Sequence, residues 1–477
     1  MEIKFGTGGF RGVIGDDFTK ETVRTIAQAI SNIIINENKT KEIVVGYDHR
    51  FLSNETGVWM SEVFAGNGIK TKLLNSASPS PTVMYLVREY GYDFGVMITA
   101  SHNPYLFNGV KVFEKGGYDA DVSFTNQIEK EMKLVTKINS LDIKLALEEH
   151  KVEMIDGVSP YVDYVLTFLN ENIDTNLKLA FDNLHGVGAI AVLKALDKLG
   201  FKNITTFNKD RDALFGNKMP NPIESNLTEL KEYVVSNHLD FGFSMDSDAD
   251  RLGIIDEKGN YVSSNEILGA LYYYLIKYRG EKGDIVKNCA TSNLIDKIAN
   301  NLGYKCKEVD VGFKNITHTM SEIDALIGGE SSGGLTVRGY IHGKDSTFAI
   351  MMFLNMVSEM KKPVSEIVNE LHEFANFHHY VLESFISYKK EHEKEIIEFL
   401  NNNRPEFTLP LKDYQAFGRN YKFIFEDDQW ILIRLSGTEP VFRIFSEMKD
   451  KKMAENDINR LNDFVRKVED DIQRRNR

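Results

Sequence analysis

Short apolar runs alternate with segments of helical periodicity along most of the chain. Five of these runs predict buried strands, at 42–48, 94–99, 177–182, 240–246 and 284–290. Between the runs, apolar residues recur every three or four positions, as in 22–34 and 189–199, and this spacing predicts amphipathic helices. Strands that alternate with helices predict α/β units with parallel or mixed sheets that helices cover.

The last hundred residues follow a different pattern. The segment 421–447 consists of short apolar runs separated by polar turns, which predicts a β meander. Apolar residues then follow at spacings of three and four, which predicts an amphipathic helix; they are Ile458, Leu461, Val465, Val468 and Ile472. The pattern predicts a smaller α+β domain at the C-terminus.

The length of 477 residues exceeds what a single core usually organises, so several domains are expected. Polar or mixed segments at 138–155, 256–266 and 365–385 are the predicted junctions between domains. We therefore predict an α/β domain at 1–145, a second at 146–255, a third at 256–375, and the α+β domain at 376–477.

Composition limits the class of protein. Hydrophobic residues make up 42% and charged residues 27%, as in soluble globular proteins, and the net charge of −13 argues against nucleic acid or an anionic membrane as partner. Cys289 and Cys306 form no disulfide framework and no zinc motif, which favours a reducing, cytoplasmic location. The sequence shows neither a secretory signal nor an apolar run long enough to span a membrane.

The segment TASHNP at 99–104 places Ser101 in a loop directly after a predicted strand, where α/β folds often carry reactive groups. The G-x-S-x-G motif of serine hydrolases is missing. His102 is a poor general base for Ser101 because adjacent side chains generally diverge. From this segment alone, Ser101 is either a nucleophile or a serine that caps the following turn.

Three alternating carboxylates, Asp246, Asp248 and Asp250, follow another predicted strand. Carboxylates this close repel one another unless a cation lies between them, and hard oxygen ligands favour Mg²⁺ or Ca²⁺. An EF-hand is excluded because Arg251 occupies the loop position that requires glycine and a strand precedes the motif. A solvated acidic turn is the alternative to a magnesium site.

A group of cationic and hydroxyl side chains at 434–443 suits a phosphate dianion, because guanidinium groups and a glycine N–H donate hydrogen bonds to it. The members of this group are Arg434, Ser436, Gly437, Thr438 and Arg443. The alternative is an ordinary hairpin with surface arginines.

Two glycine-rich segments complete the candidate chemistry. In 328–346, Glu330 and Ser332 can bind sugar hydroxyls and Lys344 adds a cation, unless the segment is only a flexible loop. The segment 5–12 lacks the motifs of nucleotide-binding loops and is predicted to deliver Arg11 to an anionic site. Lys111, ten residues past Ser101, is a possible proton-transfer group.

In their order along the chain, these segments resemble the α-D-phosphohexomutase family of phosphoglucomutases and phosphomannomutases. TASHNP resembles its phosphoserine loop, DSDADR its metal loop, GESSG its sugar-recognition loop and RLSGTEP its phosphate-binding loop. FGTGGFRG, GYDHRFLS, DNLHGVG and FGNKMPNPIESNL match further family segments. The resemblance implies three related mixed-sheet α/β domains and a smaller C-terminal α+β domain around a central cleft.

The resemblance also implies roles for the candidate residues. Ser101 would be the phosphorylated nucleophile, and Mg²⁺ would be held by an oxygen of that phosphoserine together with the three aspartates. The catalytic group would further contain Arg11, Arg251, Lys111 as general acid or base, and His102 beside the nucleophile. Substrate would be bound by Glu330, Ser332, Lys344, Arg434, Ser436, Gly437, Thr438 and Arg443.

The implied reaction is reversible phosphoryl transfer between O1 and O6 of a hexose phosphate, with glucose as the expected sugar and glucose 1,6-bisphosphate as intermediate and activator. Alternatives are a phosphomannomutase, a phosphoglucosamine mutase, a metal-dependent sugar phosphatase and a non-enzymatic binding protein. Ser331 stands where many relatives have glutamate, and Tyr340 where several have histidine, with His342 nearby. We expect a hexose phosphate as the partner and a monomer or homodimer.

Overall fold

A computed structural model of the chain describes residues 5–6, 9–435 and 440–475. It divides the protein into two compact units. The first contains Met1–Thr291 and Ile298–Phe374, and the second contains Ser292–Lys297 and Ala375–Arg477. The chain passes between the units at residues 291–292, 297–298 and 374–375.

The first unit begins with an eight-stranded mixed sheet. Its strands are β1 (Phe5–Gly6), β2 (Gly9–Val13), β3 (Glu42–Tyr47), β4 (Lys70–Leu74), β5 (Phe94–Ile98), β6 (Phe107–Glu114), β7 (Tyr118–Asp119) and β8 (Val152–Ile155). They lie in the order β1-β2-β6-β5-β3-β4-β8, with β7 paired to β6. The associated helices are α1 (Lys20–Asn36), α2 (Ser53–Gly66), α3 (Ser80–Tyr90), α4 (Val122–Leu134) and α5 (Ile143–Glu148).

Strand β8 lies beyond residue 145, the predicted end of the first domain, yet it pairs in parallel with β4 of the first sheet. Its backbone hydrogen bonds therefore tie it to the first domain, and the predicted boundary separates an edge strand from its sheet. The short length of β8 and its exposed residues hide this pairing from the sequence pattern. The remaining domain boundaries stay predictions.

A second mixed sheet contains five strands in the order β10-β9-β11-β12-β13. They are β9 (Leu179–Asp182), β10 (Ile204–Phe207), β11 (Phe241–Met245), β12 (Leu252–Asp256) and β13 (Tyr261–Val262). The helices of this part are α6 (Val158–Leu166), α7 (Gly188–Leu199) and α8 (Thr228–Ser236), with 3₁₀ turns at Phe215–Asn217 and Glu224–Asn226. Every residue of β11 is buried, which explains its uninterrupted apolar run.

The third mixed sheet has four strands in the order β15-β14-β16-β17. They are β14 (Ile285–Asn288), β15 (Cys306–Val309), β16 (Ile327–Gly329) and β17 (Leu335–Val337). Five helices accompany them: α9 (Ser264–Lys277), α10 (Leu294–Leu302), α11 (Phe313–Ile323), α12 (Ser346–Met360) and α13 (Val364–Ala375). Three mixed α/β parts therefore precede the C-terminal unit, as the sequence predicts.

The second unit contains an antiparallel sheet in the order β18-β22-β21-β20-β19. Its strands are β18 (Tyr380–Ser387), β19 (Asp413–Phe417), β20 (Asn420–Ile424), β21 (Trp430–Leu435) and β22 (Val441–Met448). A 3₁₀ turn at Lys390–His392, α14 (Glu393–Asn402) and α15 (Lys451–Arg475) complete the unit. The predicted meander and the predicted C-terminal helix are both confirmed.

Local sequence explains where the predicted elements form. The Thr19 side chain accepts a hydrogen bond from the N–H of Thr22 and so caps α1, and the apolar stripe of α1 is buried against the first sheet. The five predicted buried strands correspond to β3, β5, β9, β11 and β14.

Within the described residues, no helix combines the length and apolar character needed to cross a membrane.

Candidate active site

Ser101 lies three residues after the end of β5, with only 1% of its surface exposed. Its backbone φ of 51° falls in the left-handed region, which few non-glycine residues adopt. The N–H of Ser101 donates to Thr99 Oγ1 at 2.9 Å, and its Oγ donates to Asp246 Oδ2 at 2.8 Å. The hydroxyl is therefore directed at the predicted metal loop.

His102 lies closer to Ser101 than sequence adjacency suggests. Its Nδ1 is 3.4 Å from Ser101 Oγ, so the two side chains do not diverge. This distance is at the outer limit of a hydrogen bond, whereas the contact of Ser101 Oγ with Asp246 is short. Asp246 is therefore the stronger partner of the serine hydroxyl.

The loop between β11 and β12 brings the three predicted carboxylates together. Asp246, Asp248 and Asp250 are buried, and one oxygen from each lies within 4.8 Å of the others. Asp246 Oδ1 accepts from the N–H groups of Asp250 at 2.9 Å and Arg251 at 3.0 Å. Asp248 Oδ1 and Asp250 Oδ1 have no hydrogen-bond partner among the described residues. Two buried, unsatisfied carboxylate oxygens and a third carboxylate fit a hard divalent cation.

The surroundings of Asp246 and Asp250 shift the pKa values of these two carboxyl groups in opposite directions. Burial, followed by the charges of Asp250 and Asp248, raises the pKa of Asp246 well above its ordinary value. Burial acts the same way on Asp250, but Lys111 and Lys344 outweigh it and hold its pKa well below the ordinary value. Asp250 is therefore a carboxylate at neutral pH.

Lys111 projects from β6 into this cluster. Its Nζ lies 2.6 Å from Asp248 Oδ2 and 2.9 Å from Asp250 Oδ2. Burial alone would lower the pKa of Lys111, but the two carboxylates outweigh burial and raise it. Lys111 is thus held as an ammonium group.

Lys344 links the glycine-rich loop to the loop that carries Asp250. Its Nζ lies 3.1 Å from Asp250 Oδ2 and 3.9 Å from Glu330 Oε1. Glu330 also accepts from Ser332 Oγ at 2.5 Å and from Asn288 Nδ2 at 3.1 Å. A Cβ on Gly334 would lie 2.3 Å from Lys344 Cγ, so glycine is needed for this lysine to fold back over the loop.

The two predicted arginines lie beside these loops. Arg11 Nη1 donates to Asn103 Oδ1 at 2.7 Å, in the loop that carries Ser101. Arg251 Nε lies 3.8 Å from Asp250 Oδ1. Two cations therefore border the serine and the carboxylates and would attract an anionic group there.

Tyr340 and His342 have different surroundings. The Tyr340 hydroxyl donates to Asp345 Oδ2 at 2.6 Å, and its buried ring stacks on Phe348 at 3.9 Å. The His342 ring stacks on Tyr118 at 4.1 Å, and burial lowers its pKa to about 4, so the imidazole is neutral at pH 7. Tyr340 thus belongs to interior packing.

The predicted phosphate-binding residues lie in the second unit. Arg434 and Arg443 occupy opposing positions on β21 and β22, so they share one face of the sheet. Ser436, Gly437 and Thr438 lie outside the described residues.

Three family models match the chain in succession. They are phosphoglucomutase/phosphomannomutase alpha/beta/alpha domain I at residues 2–138, domain II at 159–259 and domain III at 263–374. The chain belongs to the phosphoglucomutase/phosphomannomutase family. It is therefore an enzyme of a family of phosphohexomutases, which are isomerases.

Relatives of this phosphohexomutase match over nearly their whole length. A phosphoglucosamine/phosphogalactosamine mutase of Sulfurisphaera tokodaii is 28% identical over 97% of this chain and 98% of the relative. A phosphoglucomutase/phosphomannomutase of Thermococcus kodakarensis is 27% identical over 94% and 95%. The open-form phosphoglucomutase (pp63/parafusin) from Paramecium shares the fold, with a TM-score of 0.80, 20% identity and coverage of 98% and 95%.

Sequence reasoning missed several residues that border the site of this phosphohexomutase. Ser80 Oγ donates to Asp248 Oδ2 at 2.7 Å. Asp48 and Arg50 are buried beneath the loop that carries Ser101, and Asp119 interacts electrostatically with Lys111 and Lys344. The only signal for Asp48 and Arg50 was their place in GYDHRFLS, directly after a strand.

Proposed function

We propose that this phosphohexomutase transfers a phosphoryl group between O1 and O6 of a hexose phosphate, with Ser101 as the carrier. The observation that supports this proposal best is the contact of Ser101 Oγ with Asp246, 2.8 Å away in the carboxylate cluster. A serine hydroxyl at a cation site is suited to hold a phosphoryl group, because the cation and neighbouring lysines neutralise its charge.

In the proposed reaction, the bond between phosphorus and Ser101 Oγ breaks as phosphorus bonds to the free hydroxyl oxygen of the sugar. The sugar hydroxyl loses a proton and Ser101 Oγ gains one. We assign both proton transfers to Lys111, which is held as an ammonium group. It supplies a proton to the departing serine oxygen, and the resulting amine takes the proton that the sugar hydroxyl releases. The bisphosphate then reorients and returns its other phosphoryl group to Ser101.

Asp246, Asp248, Asp250 and an oxygen of the phosphoserine would hold Mg²⁺, which suits their all-oxygen donor set. Bound there, the cation would neutralise negative charge on the phosphoryl oxygens. Arg11 and Arg251 would flank the phosphoryl group.

Sugar recognition is assigned to the segment around Glu330. Glu330 and Ser332 offer a carboxylate and a hydroxyl, and Lys344 offers a cation. We further propose that Arg434, Ser436, Gly437, Thr438 and Arg443 bind the phosphate that is not reacting. Because the bisphosphate carries a phosphate at each end, one such group of donors can serve both orientations.

We favour glucose phosphate as substrate, because the sequence around Ser331 resembles the glucose- and mannose-type loops. Phosphoglucosamine mutase is the second candidate, because the relative from Sulfurisphaera tokodaii is named a phosphoglucosamine/phosphogalactosamine mutase. The protein should be assayed with glucose, mannose and glucosamine 1-phosphates, each with Mg²⁺ and a catalytic trace of glucose 1,6-bisphosphate. We expect glucose 1-phosphate to give the highest kcat/KM.

A clear preference for glucosamine phosphate would overturn the choice of sugar, and release of inorganic phosphate without isomerisation would support a phosphatase. Ser101→Ala should abolish isomerisation. The matched control is Ser244→Ala, which alters a buried serine on β11 whose hydroxyl has no hydrogen-bond partner among the described residues. This control should retain activity.

A further inference from the structure

A fully buried arginine lies beneath the loop that carries Ser101. Arg50 follows β3, and none of its side chain is exposed. Its Nη2 donates to the carbonyl oxygens of Ser101 and Asn103, the latter at 2.7 Å. Its Nη1 donates to the carbonyl oxygens of Pro104 at 3.0 Å and Phe107 at 2.9 Å. Four main-chain carbonyls from seven consecutive residues therefore converge on one guanidinium.

This arrangement depends on the shape of the guanidinium. Its N–H groups point outward in one plane at fixed angles, so a single side chain can serve several carbonyls in different directions. The loop from Ser101 to Leu106 has no regular secondary structure, and β6 begins at Phe107. Arg50 supplies the loop with donors that a helix or sheet would otherwise provide.

Asp48 fixes the arginine and the start of the loop together. Arg50 Nε lies 3.4 Å from Asp48 Oδ2, and the same oxygen accepts from Thr99 Oγ1 at 2.7 Å. Thr99 Oγ1 in turn accepts from the N–H of Ser101. The two main-chain polar groups of Ser101 are therefore both held, the N–H by Thr99 and the carbonyl by Arg50.

A serine of the metal loop shares the same carbonyl. Ser247 lies between two of the aspartates, and its Oγ donates to the carbonyl oxygen of Ser101 at 2.5 Å. The main chain of Ser101 is thus tied to the metal loop independently of its hydroxyl. A residue in the left-handed region persists only when its surroundings constrain it, and these contacts supply that constraint.

We infer that Arg50 is a positioning residue for phosphoryl transfer, which fixes where Ser101 Oγ lies relative to the carboxylates. The inference rests on the proposed role of Ser101. Arg50 acts through main-chain carbonyls, so replacing it displaces the nucleophile without removing a group that binds the sugar. A displacement of about 1 Å can cost about 100-fold in rate.

The direct test is Arg50→Lys, which keeps a cation beside Asp48 but removes the planar set of donors. We expect kcat to fall about 10- to 100-fold while KM for the hexose phosphate changes less than about twofold. Phosphorylation of Ser101 by glucose 1,6-bisphosphate, followed by quenched-flow intact mass, should slow by a similar factor. A kcat within about twofold of the wild-type value, in folded protein, would overturn the inference.

Arg279→Lys is the matched control. Arg279 is a partly buried arginine of the first unit that donates to the carbonyl oxygen of Phe168 at 3.0 Å. Its replacement tests whether losing any arginine-to-carbonyl bond lowers kcat. We expect unchanged kcat in this variant, and an equal loss of kcat in both variants would also overturn the inference.

Ser247→Ala provides a second route in case Arg50→Lys does not fold. It removes one donor to the Ser101 carbonyl and leaves every charge in place, so a fall in kcat of at least about threefold is expected. Unchanged kcat in folded Ser247→Ala would contradict the positioning of Ser101 through its carbonyl. If wild-type protein neither isomerises hexose phosphates nor becomes phosphorylated on Ser101, the proposed function fails instead.

Discussion

The two carboxylate oxygens of Asp248 have different surroundings. Its Oδ2 accepts from Lys111 and Ser80, whereas its Oδ1 has no partner among the described residues. The first oxygen holds the loop in place, and the second is available to a cation. A substitution that keeps the shape and removes the charge therefore separates cation binding from folding.

Asp248→Asn should lower the apparent affinity for Mg²⁺ by at least about 10-fold, because an amide oxygen is a weaker ligand than a carboxylate. The measurement is the rate of isomerisation against Mg²⁺ concentration, with circular dichroism to confirm folding. Asp240→Asn, which alters an exposed carboxyl just before β11, is the control and should leave the curve unchanged. If the Mg²⁺ curve of Asp248→Asn coincided with that of the wild type, the result would contradict a metal-binding role for Asp248.

Asp345 is a second carboxyl with an unusual environment. It caps α12 by accepting from the N–H of Phe348 at 2.9 Å, and the hydroxyls of Tyr161 and Tyr340 both donate to its Oδ2. Burial raises the pKa of Asp345 to about 6, although these hydrogen bonds oppose the rise. The folded protein therefore holds this proton more tightly than the unfolded chain does.

Because the folded protein binds this proton more tightly than the unfolded chain, the free energy of unfolding falls as the pH rises. The contribution of Asp345 to stability is fully present below about pH 4 and is lost as the pH rises through about 6, a change of about 2–3 kcal/mol. Asp345→Asn has no charge to titrate, so its stability should fall less than that of the wild type across this range. Urea unfolding at pH 4, 5, 6 and 7 measures this, and Asp197→Asn, at an exposed site on α7, should follow the wild type.

At the scale of elements, β6 must lie very close to its neighbours. A Cβ on Gly109 would lie 2.3 Å from the carbonyl oxygen of Phe10 and 2.7 Å from that of Thr99. Thr99 accepts a hydrogen bond from the N–H of Ser101, so a side chain on Gly109 would displace the residue that holds the Ser101 main chain.

Gly109→Ala should therefore destabilise the protein by about 1–3 kcal/mol and also lower kcat. Gly57→Ala, in α2, is the matched control, because a Cβ there would meet its neighbours at ordinary contact distances of 3.4 Å and more. That control should be neutral or stabilising by up to about 1 kcal/mol, since alanine favours helix over glycine. Urea unfolding and the isomerisation assay measure both effects, and equal stability of the two variants would refute the steric argument.

The apolar runs of β5 and β11 are strong signals, because both strands are buried on both faces. Ser101 and the aspartates follow these runs directly, so the sequence predicts them as candidates. The contacts of Arg50, unlike these runs, leave no signal in the local sequence. They join residues 51 to 57 positions apart, and no local pattern encodes which carbonyls will converge on one side chain. Strand β8 escapes prediction for the same reason, because its partner β4 decides where it belongs.

At the scale of the whole molecule, each compact unit has its own apolar core. One cluster packs helices α1 and α2 against the first sheet, and another packs α14 and α15 against the antiparallel sheet of the second unit. The chain has two tryptophans, Trp59 in the first unit and Trp430 in the second. Each tryptophan is thus a natural reporter of one unit.

We expect urea midpoints from Trp59 and Trp430 fluorescence to differ, because separate cores need not unfold together. Trp59→Phe leaves Trp430 as the only tryptophan, and Trp430→Phe leaves Trp59. Trp430 Nε1 donates to Glu447 Oε2 at 2.7 Å, so Trp430→Phe should weaken the second unit. Far-UV circular dichroism of this variant and the wild type measures that loss, because the remaining Trp59 reports only the first unit. Superimposable transitions would indicate a single cooperative unit.

Asp248 Oδ1 and Asp250 Oδ1, which accept no hydrogen bond from the described residues, place cation binding and the modification of Ser101 in one thermodynamic cycle. A phosphoryl group on Ser101 would bring close to two negative charges against three carboxylates, which a bound cation would offset. The two effects are reciprocal. The factor by which phosphorylation of Ser101 raises the affinity for the cation equals the factor by which the cation raises the equilibrium constant for phosphorylation. At equilibrium with glucose 1,6-bisphosphate, removing the cation should therefore lower the phosphorylated fraction of Ser101, because the phosphoryl group returns to the glucose monophosphate; intact mass measures that fraction.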